Sequence, residues 1–337
     1  MNSTVLPVLD LRQLYGSAEH KALFLQELAE AARSVGFFYI SGHALCAQKN
    51  ELLTLSERFF ALPDAQKRSV EMKNTPHFRG YTRLLGELTQ GKPDQREQFD
   101  IMNEQAALPF IDINEPWQHL IGPNQWPAEL PELREKALAY QAAQTTITVD
   151  LLTAFAEALG QPANAFTPTL GTPYTHMKLI RYPGASRAAL NSGQGVGAHK
   201  DPGYITIVSQ DSESGLEVEL DDKGWVAVPP LEGTLVVNIG ELLELASDGY
   251  LRATNHRVVT PATGRERYSI AFFMAAQLDS TVPLLALPEA LKQQALGPSS
   301  DPNNPLFYNV GENVVKGRIR SHPDAAERWG LSAGQVS

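Results

Sequence analysis

The sequence has a single cysteine, Cys46, so no disulfide bond can form within the chain. Scarce cysteine is typical of proteins in a reducing compartment, and we expect a cytoplasmic location. No stretch of about 18 apolar residues occurs, so no transmembrane helix is predicted. Residues 1–16 contain no basic segment followed by an apolar run, and no signal peptide is expected. These absences argue against a secreted disulfide scaffold and against a membrane partner.

Positive charge is also scarce, because 28 Lys and Arg residues stand against 38 Asp and Glu residues, for a formal net charge of −10. Nucleic-acid binding requires clustered positive charge, so no nucleic-acid partner is expected. The sequence contains no Gly-x-Ser-x-Gly elbow and no Cys/His nucleophile pair, which argues against two common hydrolase chemistries. Hydrophobic residues make up 43% of the chain, which is ordinary for a globular protein with a large core.

The first half of the chain has helical periodicity. Apolar residues spaced three and four apart predict a helix over 18–34 and a second helix that ends at Pro63, with a strand over 36–40 between them. Residues 102–131 are rich in Pro, Asn and Trp, and they predict a long irregular connection. One long amphipathic helix is predicted over 132–159, and Gly160 ends it.

After Gly171 the periodicity becomes that of strands. Short strands separated by Gly- and Asp-rich turns are predicted at 174–182, 204–209, 215–218, 225–228, 234–238, 256–260 and 267–274. The glycine-rich stretch over 193–197 is predicted to be a flexible loop that leads into the strand of His199. Helices followed by many strands indicate a mainly β fold with α, a jelly roll with the long helix packed against its outer face.

The order of these patterns predicts four regions within one globular unit. An N-terminal region of helices and short strands spans 1–110, and the irregular connection with the long helix spans 111–170. The jelly-roll core spans 171–280. The last region, 281–337, is expected to form a lid or helical segment over the mouth of the barrel.

His199, Asp201 and His256 have the spacing of a metal site. Alternate residues of a strand point to the same side, so His199 and Asp201 can both reach one metal from one strand end. His256 is far enough along the chain to come from another strand. Two imidazoles and one carboxylate form the facial triad that holds Fe(II) on one side and leaves the other side open. Each piece alone is a weak signal in a chain with eight histidines.

Arg267 and Ser269 share one face of the last predicted strand by the same rule. The strand over 267–274 is otherwise too apolar to bury a guanidinium without an acceptor. The planar fork of arginine matches a carboxylate bidentately. The two residues therefore predict either a carboxylate clamp near the metal or a structural ion pair with an Asp or Glu.

Short motifs in both halves of the chain carry a family resemblance. They are GFFY at 36–39, FFALP at 59–63, RGY at 79–81, GKPD at 91–94, LIRYP at 179–183, HKD at 199–201, VVNIG at 236–240, NHRVV at 255–259 and RYS at 267–269. Their order along nearly the whole chain resembles the isopenicillin N synthase-like family of Fe(II)/2-oxoglutarate-dependent oxygenases. The resemblance implies a double-stranded β-helix, a distorted jelly roll flanked by helices. It also implies that His199, Asp201 and His256 bind iron and that 2-oxoglutarate and O2 are co-substrates.

Tyr182, Arg267 and Ser269 match the positions that hold a carboxylate in this family. In most members the carboxylate is the distal end of 2-oxoglutarate, whereas in isopenicillin N synthase it belongs to the substrate. The clamp alone therefore leaves two chemistries open. Gln335 lies near the C-terminus, as does a glutamine that can bind iron in isopenicillin N synthase.

The main hypothesis is an oxygenase that hydroxylates, desaturates or cyclises a small-molecule substrate while 2-oxoglutarate yields succinate and CO2. The alternative is a four-electron oxidase of the isopenicillin N synthase type, which forms a β-lactam from a thiol tripeptide without 2-oxoglutarate. A third hypothesis is a non-catalytic jelly roll that binds a small molecule. Succinate formation distinguishes the first from the second, and stoichiometric Fe(II) binding argues against the third.

Substrate specificity is expected to come from residues 79–101 and from the C-terminal segment, which would surround the mouth of the barrel. The candidate substrate residues are Arg79, Tyr81, Arg83, Phe99 and Phe273. Each of them has a structural role as its alternative interpretation.

Overall fold

The computed structural model describes residues 6–184, 194–261, 265–302 and 304–332. Its strands are β1 (Val8–Asp10), β2 (Phe37–Ser41), β3 (Gly80–Thr82), β4 (Leu88–Thr89), β5 (Lys92–Pro93), β6 (Glu97–Met102), β7 (Tyr174–Tyr182), β8 (Gln194–His199), β9 (Ile205–Gln210), β10 (Leu216–Leu220), β11 (Gly224–Ala227), β12 (Leu235–Ile239), β13 (His256–Val259) and β14 (Arg267–Ala275). Its helices are α1 (Ala18–Ser34), α2 (Cys46–Phe60), α3 (Asp64–Ser69), α4 (Glu132–Ala158), α5 (Thr167–Leu170), α6 (Glu241–Ala246), α7 (Glu289–Lys292), α8 (Val310–Ser321) and α9 (Pro323–Arg328). Short 3₁₀ turns occupy Leu11–Tyr15, Met72–Asn74, Phe110–Asp112 and Pro116–Leu120.

Two sheets form the jelly-roll core. The larger sheet has the strand order β1-β2-β12-β9-β14-β7-β6-β3, and the smaller one has the order β11-β10-β13-β8. The strands β4 and β5 form a separate hairpin. Side chains from both sheets, such as Ile180 and Ala271 of the larger and Val196 and Val258 of the smaller, pack into one cluster between them. The predicted mainly β fold with a jelly-roll core is therefore confirmed.

The large sheet contributes side chains to two hydrophobic clusters, one on each of its faces, as strand β14 shows. Ile270, Phe272 and Met274 belong to the cluster on the helix side, whereas Ala271 and Phe273 contact the cluster between the sheets. This alternation follows from the two-residue period of a strand. Helix α4 packs on the helix side, against α1, α2, β7 and β14. The long helix thus lies on the outer face of the large sheet, as predicted.

Helix α1 has the ends that its sequence predicts. The Ser17 side chain accepts a hydrogen bond from the backbone N–H of His20 at the first turn. The chain leaves the helix through Gly36, which has a φ of 74°. A Cβ atom at Gly36 would lie 2.2 Å from the carbonyl oxygen of Arg252, so this close approach requires glycine. The turn at Gly36 leads directly into β2, which pairs with β1 and β12 in the large sheet.

Several elements were not predicted. Strand β6 is buried along its whole length and carries Glu97, Gln98 and Asp100, so it lacks the polar–apolar alternation of a half-exposed strand. Strands β3, β4 and β5 and helix α6 were also missed, because each is too short to show a period. The expectation of a flexible loop over 193–197 was wrong from Gln194 onward, since β8 starts there and pairs with β13.

The structure does not test two further expectations, the iron-binding glutamine and the boundaries of the four regions. Gln335 lies outside the described residues, and the predicted region boundaries after 110, 170 and 280 stay predictions. None of the described helices combines the length and apolarity that a bilayer crossing requires.

Candidate active site

His199, Asp201 and His256 converge at one end of the small sheet. His199 is the last residue of β8, His256 is the first of β13, and the two are paired across the ladder. Asp201 follows β8 by two residues, in the turn beyond the strand. Nε2 of His199 lies 3.5 Å from Oδ1 of Asp201, and Nε2 of His256 lies 3.6 Å from Oδ2. The three side chains bring ligand atoms within 4.8 Å of one another, which fits three donors to one metal ion.

Backbone carbonyls orient both imidazoles. Nδ1 of His199 lies 2.8 Å from the carbonyl oxygen of Gly197, and Nδ1 of His256 lies 3.3 Å from that of Thr254. An Nδ1–H that donates to a carbonyl leaves the Nε2 lone pair free for a metal. The His199 side chain is 29% exposed and the His256 side chain 9%, so the site opens on the side of His199.

The electrostatics of the three groups favour a bound cation. Burial opposes ionisation of Asp201, but His256, His199 and a hydrogen bond from Asn238 hold its pKa well below its usual range. Thr206 donates a second hydrogen bond to the same carboxylate, at 2.7 Å. Burial lowers the pKa of His256 to about 4. For His199, burial favours the neutral form, yet the hydrogen bond and charge of Asp201 outweigh it and raise the pKa. A metal ion would displace the remaining proton, since it binds neutral imidazole.

Arg267, Ser269 and Tyr182 lie side by side between the sheets, and each is at most 2% exposed. Arg267 faces Tyr182 across the β7–β14 ladder, and its guanidinium carbon lies 4.9 Å from the centre of the phenol ring. Nη1 of Arg267 lies 3.4 Å from Oγ of Ser269, and Nη2 donates to Oε1 of Gln210 at 3.0 Å.

The buried guanidinium of Arg267 has neutral partners. Besides Gln210 and Ser269, it donates to the backbone carbonyl of Glu213 at 3.2 Å. Among the described residues, no carboxylate lies within ion-pair distance of it. This arrangement does not fit the structural ion pair that the sequence left open, and it leaves a buried cation suited to an anionic ligand.

A cavity of about 520 Å³ opens beside His199 and Asp201. Its wall comes from the β4–β5 hairpin, β7, β14, α8, residues 299–301 and Asn304. Of the candidate substrate residues, Phe273 lines this cavity, with its ring centre 5.4 Å from that of His176. Glu241, which sequence reasoning missed, also lines it, and burial raises the pKa of Glu241 to about 7.

The other candidate substrate residues lie away from the cavity wall. Arg79 is 1% exposed and donates to three backbone carbonyls. Tyr81 donates to Glu97, and both Tyr81 and Phe99 pack in the cluster on the helix side of the large sheet. Arg83 is exposed to solvent. Residues 79–101 were expected to surround the mouth of the barrel. The β4–β5 hairpin of this segment does line the cavity. In contrast, Tyr81 of β3 and Phe99 of β6 face the helices, and Arg83 faces solvent.

Sequence reasoning also missed a buried ion-pair network in the cavity wall. At its centre, Glu87 accepts from Lys178 at 2.7 Å and from Arg96 at 2.5 Å, and Nε2 of His322 lies 3.3 Å away. Burial opposes the charge of Glu87, but these three partners hold its pKa well below its usual range. The network was invisible in the sequence because its members come from distant segments.

Asp100 forms the second centre of the network. Oδ1 of Asp100 lies 2.7 Å from Nε2 of His176 and 3.1 Å from Nη2 of Arg318. Burial lowers the pKa of His176 to about 3, although its Nε2–H donates a hydrogen bond to the carboxylate of Asp100. These contacts tie helix α8 to strands β6 and β7 beside the metal site.

The neutral state of His176 predicts a pH dependence of stability. Unfolded histidine protonates near pH 6.5, whereas folded His176 does so near pH 3. The unfolded chain therefore binds the proton first, and stability present above pH 6.5 is lost as the pH falls below it, by about 1.4 kcal/mol per pH unit for this group. In His176→Gln this contribution is absent. We therefore expect the free energy of unfolding, measured with urea at about pH 5 and about pH 7, to depend on pH less steeply than in the parent protein, by the equivalent of one proton.

The matched control for this prediction is His20→Gln, because the His20 side chain is exposed on α1. It should leave the slope of the parent protein unchanged. An identical slope in the parent and in His176→Gln would contradict the prediction.

Comparisons with known proteins agree with this site. A model described as non-haem dioxygenase in morphine synthesis N-terminal matches residues 6–129, and a model described as 2OG-Fe(II) oxygenase superfamily matches residues 174–276. The 2-oxoglutarate-dependent dioxygenase frbJ of Dothideomycetidae sp. (strain 11243) is 34% identical over 346 residues, which cover 98% of this chain and 93% of that relative. A homoarginine-6-hydroxylase of Arabidopsis thaliana is 32% identical over 293 residues, which cover 82% of this chain and 86% of that relative.

A solved structure gives the same result. The crystal structure of a full-length Neurospora crassa protein in complex with alpha-KG and thymine has a TM-score of 0.76 at 25% identity, covering 94% of this chain and 97% of that chain. None of these findings favours the four-electron oxidase or the non-catalytic binding protein. The chain therefore belongs to the 2OG-Fe(II) oxygenase superfamily and is an oxidoreductase that uses Fe(II), 2-oxoglutarate and O2.

Proposed function

We propose that the enzyme oxidises a small molecule at a ferrous centre held by His199, Asp201 and His256, with hydroxylation as the default outcome. The proposal depends on the convergence of these three side chains, with ligand atoms within 4.8 Å of one another, at the edge of a cavity of about 520 Å³. Two imidazoles and one carboxylate suit Fe(II) and leave coordination positions open toward the cavity.

Arg267, Ser269 and Tyr182 are the proposed clamp for the distal carboxylate of 2-oxoglutarate. The support is the fully buried guanidinium of Arg267, which has no carboxylate partner among the described residues. A bidentate carboxylate would supply the direct ion pair that the guanidinium does not make with Asp211 or any other described residue.

When bound, Fe(II) supplies the activation of O2, while 2-oxoglutarate is converted to succinate and CO2. The chain itself supplies geometry and electrostatics. Asn238 and Thr206 fix the carboxylate of Asp201, and the carbonyls of Gly197 and Thr254 fix the imidazoles. The apolar cluster between the sheets keeps water from the clamp.

The test is co-substrate stoichiometry in purified protein. We expect one Fe(II) and then one 2-oxoglutarate to bind per chain in anaerobic calorimetry, and equal amounts of O2 consumed and succinate formed when a substrate is turned over. O2 consumption with a substrate but without succinate would overturn the proposal in favour of the four-electron oxidase. No binding of Fe(II) would overturn it in favour of the non-catalytic protein.

The names of relatives supply the first compounds to assay. Homoarginine occurs in the name of one relative, and thymine in the complex of the Neurospora crassa protein. A basic amino acid and a free nucleobase are therefore the first two substrate types for this chain. We also propose a cytoplasmic location and no nucleic-acid partner, supported by the single Cys46 and by the net charge of −10.

A further inference from the structure

We propose that the cavity selects a zwitterionic small molecule, with Glu241 binding its cationic nitrogen and Lys316 binding its anionic group. The substrate would then be an amino acid or a close derivative, not a neutral ring compound. This inference rests on the proposed function, because the cavity is the one beside His199 and Asp201.

Most charged side chains of the cavity wall are already paired. Glu87 is neutralised by Lys178 and Arg96, and Asp100 by Arg318. Glu87, Lys178, Arg96 and Arg318 line the wall, whereas Asp100 is buried, and these pairs leave the four lining groups little capacity to bind a ligand.

Glu241 differs from them. Its half-buried side chain lines the cavity but makes no hydrogen bond or ion pair with any described residue. The neighbouring Glu244 shows the contrast, because it accepts from the backbone of Ala253 and lies 3.6 Å from Lys200. A carboxylate withdrawn from water without a partner is unfavourable, so a cationic ligand group would supply the missing stabilisation.

The backbone places Glu241 next to the proposed metal centre. Glu241 is the first residue of α6, and its backbone N–H donates to the carbonyl oxygen of Asp201 at 2.8 Å. A substrate that pairs with Glu241 is therefore held close to the metal ligands. Proximity of this kind is what a substrate-positioning residue provides.

Lys316 supplies the opposite charge on the wall formed by α8. Its Nζ lies 4.9 Å from the ring centre of Phe307 and donates to the carbonyl of Pro305. Among the described residues, no carboxylate lies within ion-pair distance of it. Since an ammonium group has three donors, Lys316 keeps donors for a ligand.

Glu241 and Lys316 line one cavity and stabilise each other's charge, but they form no ion pair with each other, so both can still bind a ligand group directly. A neutral ligand would remove water from both Glu241 and Lys316 and pair with neither. A ligand with one charge would leave the other unpaired. A zwitterion satisfies both, and complementarity of this kind determines specificity.

The test uses the full-length enzyme with Fe(II), 2-oxoglutarate and a matched panel of compounds. The panel contains homoarginine and arginine, their Nα-acetyl and carboxamide forms, and thymine as the neutral probe. We expect succinate formation to be stimulated by a free amino acid, weakly by its two modified forms, and not by thymine. Glu241→Gln and Lys316→Met should each raise the KM for the amino acid roughly 10- to 150-fold, the range expected for a lost charge-assisted hydrogen bond.

Controls separate this inference from the proposed function. Glu289→Gln changes an exposed glutamate on α7, and it should leave every KM unchanged. Fe(II) and 2-oxoglutarate binding should be unchanged in Glu241→Gln, because neither ligand is proposed to contact Glu241. If either variant fails to fold, the panel with the parent enzyme decides.

The outcomes are distinct. An enzyme that binds Fe(II) and 2-oxoglutarate, but is stimulated equally by thymine or by none of the amino acids, would overturn the inference and leave the proposed function standing. An unchanged KM in folded Glu241→Gln would also overturn it. Absence of Fe(II) and 2-oxoglutarate binding in the parent would overturn the proposed function, and the inference with it.

Discussion

The Asp201→Asn variant is expected to fold and to lose more than about 100-fold in Fe(II) affinity, together with substrate-coupled succinate formation. Altering a group that merely orients a metal ligand typically costs 10- to 100-fold, so altering the single anionic ligand of the centre should cost more. The amide retains hydrogen-bonding capacity toward Thr206 and Asn238, which now donate to the carboxylate at 2.7 and 2.8 Å. The loss should therefore come from the missing charge. Anaerobic calorimetry measures the affinity, and thermal melting checks the fold.

Asn238→Ala provides a graded comparison for this prediction. It removes one hydrogen bond to Asp201 and keeps the ligand, so we expect an intermediate loss of about 10- to 100-fold in Fe(II) affinity. If Asp201→Asn bound Fe(II) as tightly as the parent protein, the assignment of the metal centre would be wrong.

The Arg267→Leu variant is expected to raise the KM for 2-oxoglutarate by roughly 10- to 150-fold, which corresponds to about 1.5–3 kcal/mol for hydrogen bonds to a charged group. Fe(II) affinity should stay near that of the parent protein, because the proposed clamp and the metal ligands are separate groups. Steady-state assays at varied 2-oxoglutarate measure the effect. The leucine also leaves Oε1 of Gln210 and the carbonyl of Glu213 without their donor, so we expect a loss of about 1–3 kcal/mol in stability, which urea unfolding measures.

Arg267→Lys and Ser269→Ala test the geometry of the clamp. Lysine keeps the charge but loses the planar fork, so Arg267→Lys should recover part of the loss at most. Ser269→Ala removes one neutral hydrogen bond, which is worth about 1 kcal/mol, or roughly fivefold in KM. An unchanged KM for 2-oxoglutarate in Arg267→Leu would remove Arg267 from the clamp.

The parts of the fold with a strong period were predictable from the sequence. Helix α1 was predicted with its observed bounds, and α4 to within one residue at its C-terminal end. Apart from β8, the strands after residue 171 were predicted to within a few residues, because β-branched and aromatic residues cluster there between turn residues. Strand β6 was missed because both of its faces are buried and Asp100 is paired with residues far away in the chain.

The candidate metal ligands were recognisable because two of them are adjacent on a short segment and a family motif surrounds the third. One detail differed, since β8 ends at His199 and Asp201 lies in the following turn. The substrate residues were less predictable. Tyr81 and Phe99 were chosen for their aromatic character near the expected mouth, but the pairing of β3 with β6 sets them on the helix side. The proposed role of Glu241 could not be inferred from the sequence, because it depends on Glu241 having no hydrogen-bond or ion-pair partner among the described residues.

The paired strands that carry the metal ligands and the segments that form the cavity wall differ in how much sequence change they can tolerate. His199 and His256 are locked to each other by the β8–β13 ladder, so a one-residue slip in either strand would turn an imidazole to the opposite face. The β4–β5 hairpin and helix α8 belong to neither of the two main sheets, yet they supply much of the cavity wall. Exchanging these two segments between related enzymes should therefore alter substrate preference while the candidate metal ligands stay in place.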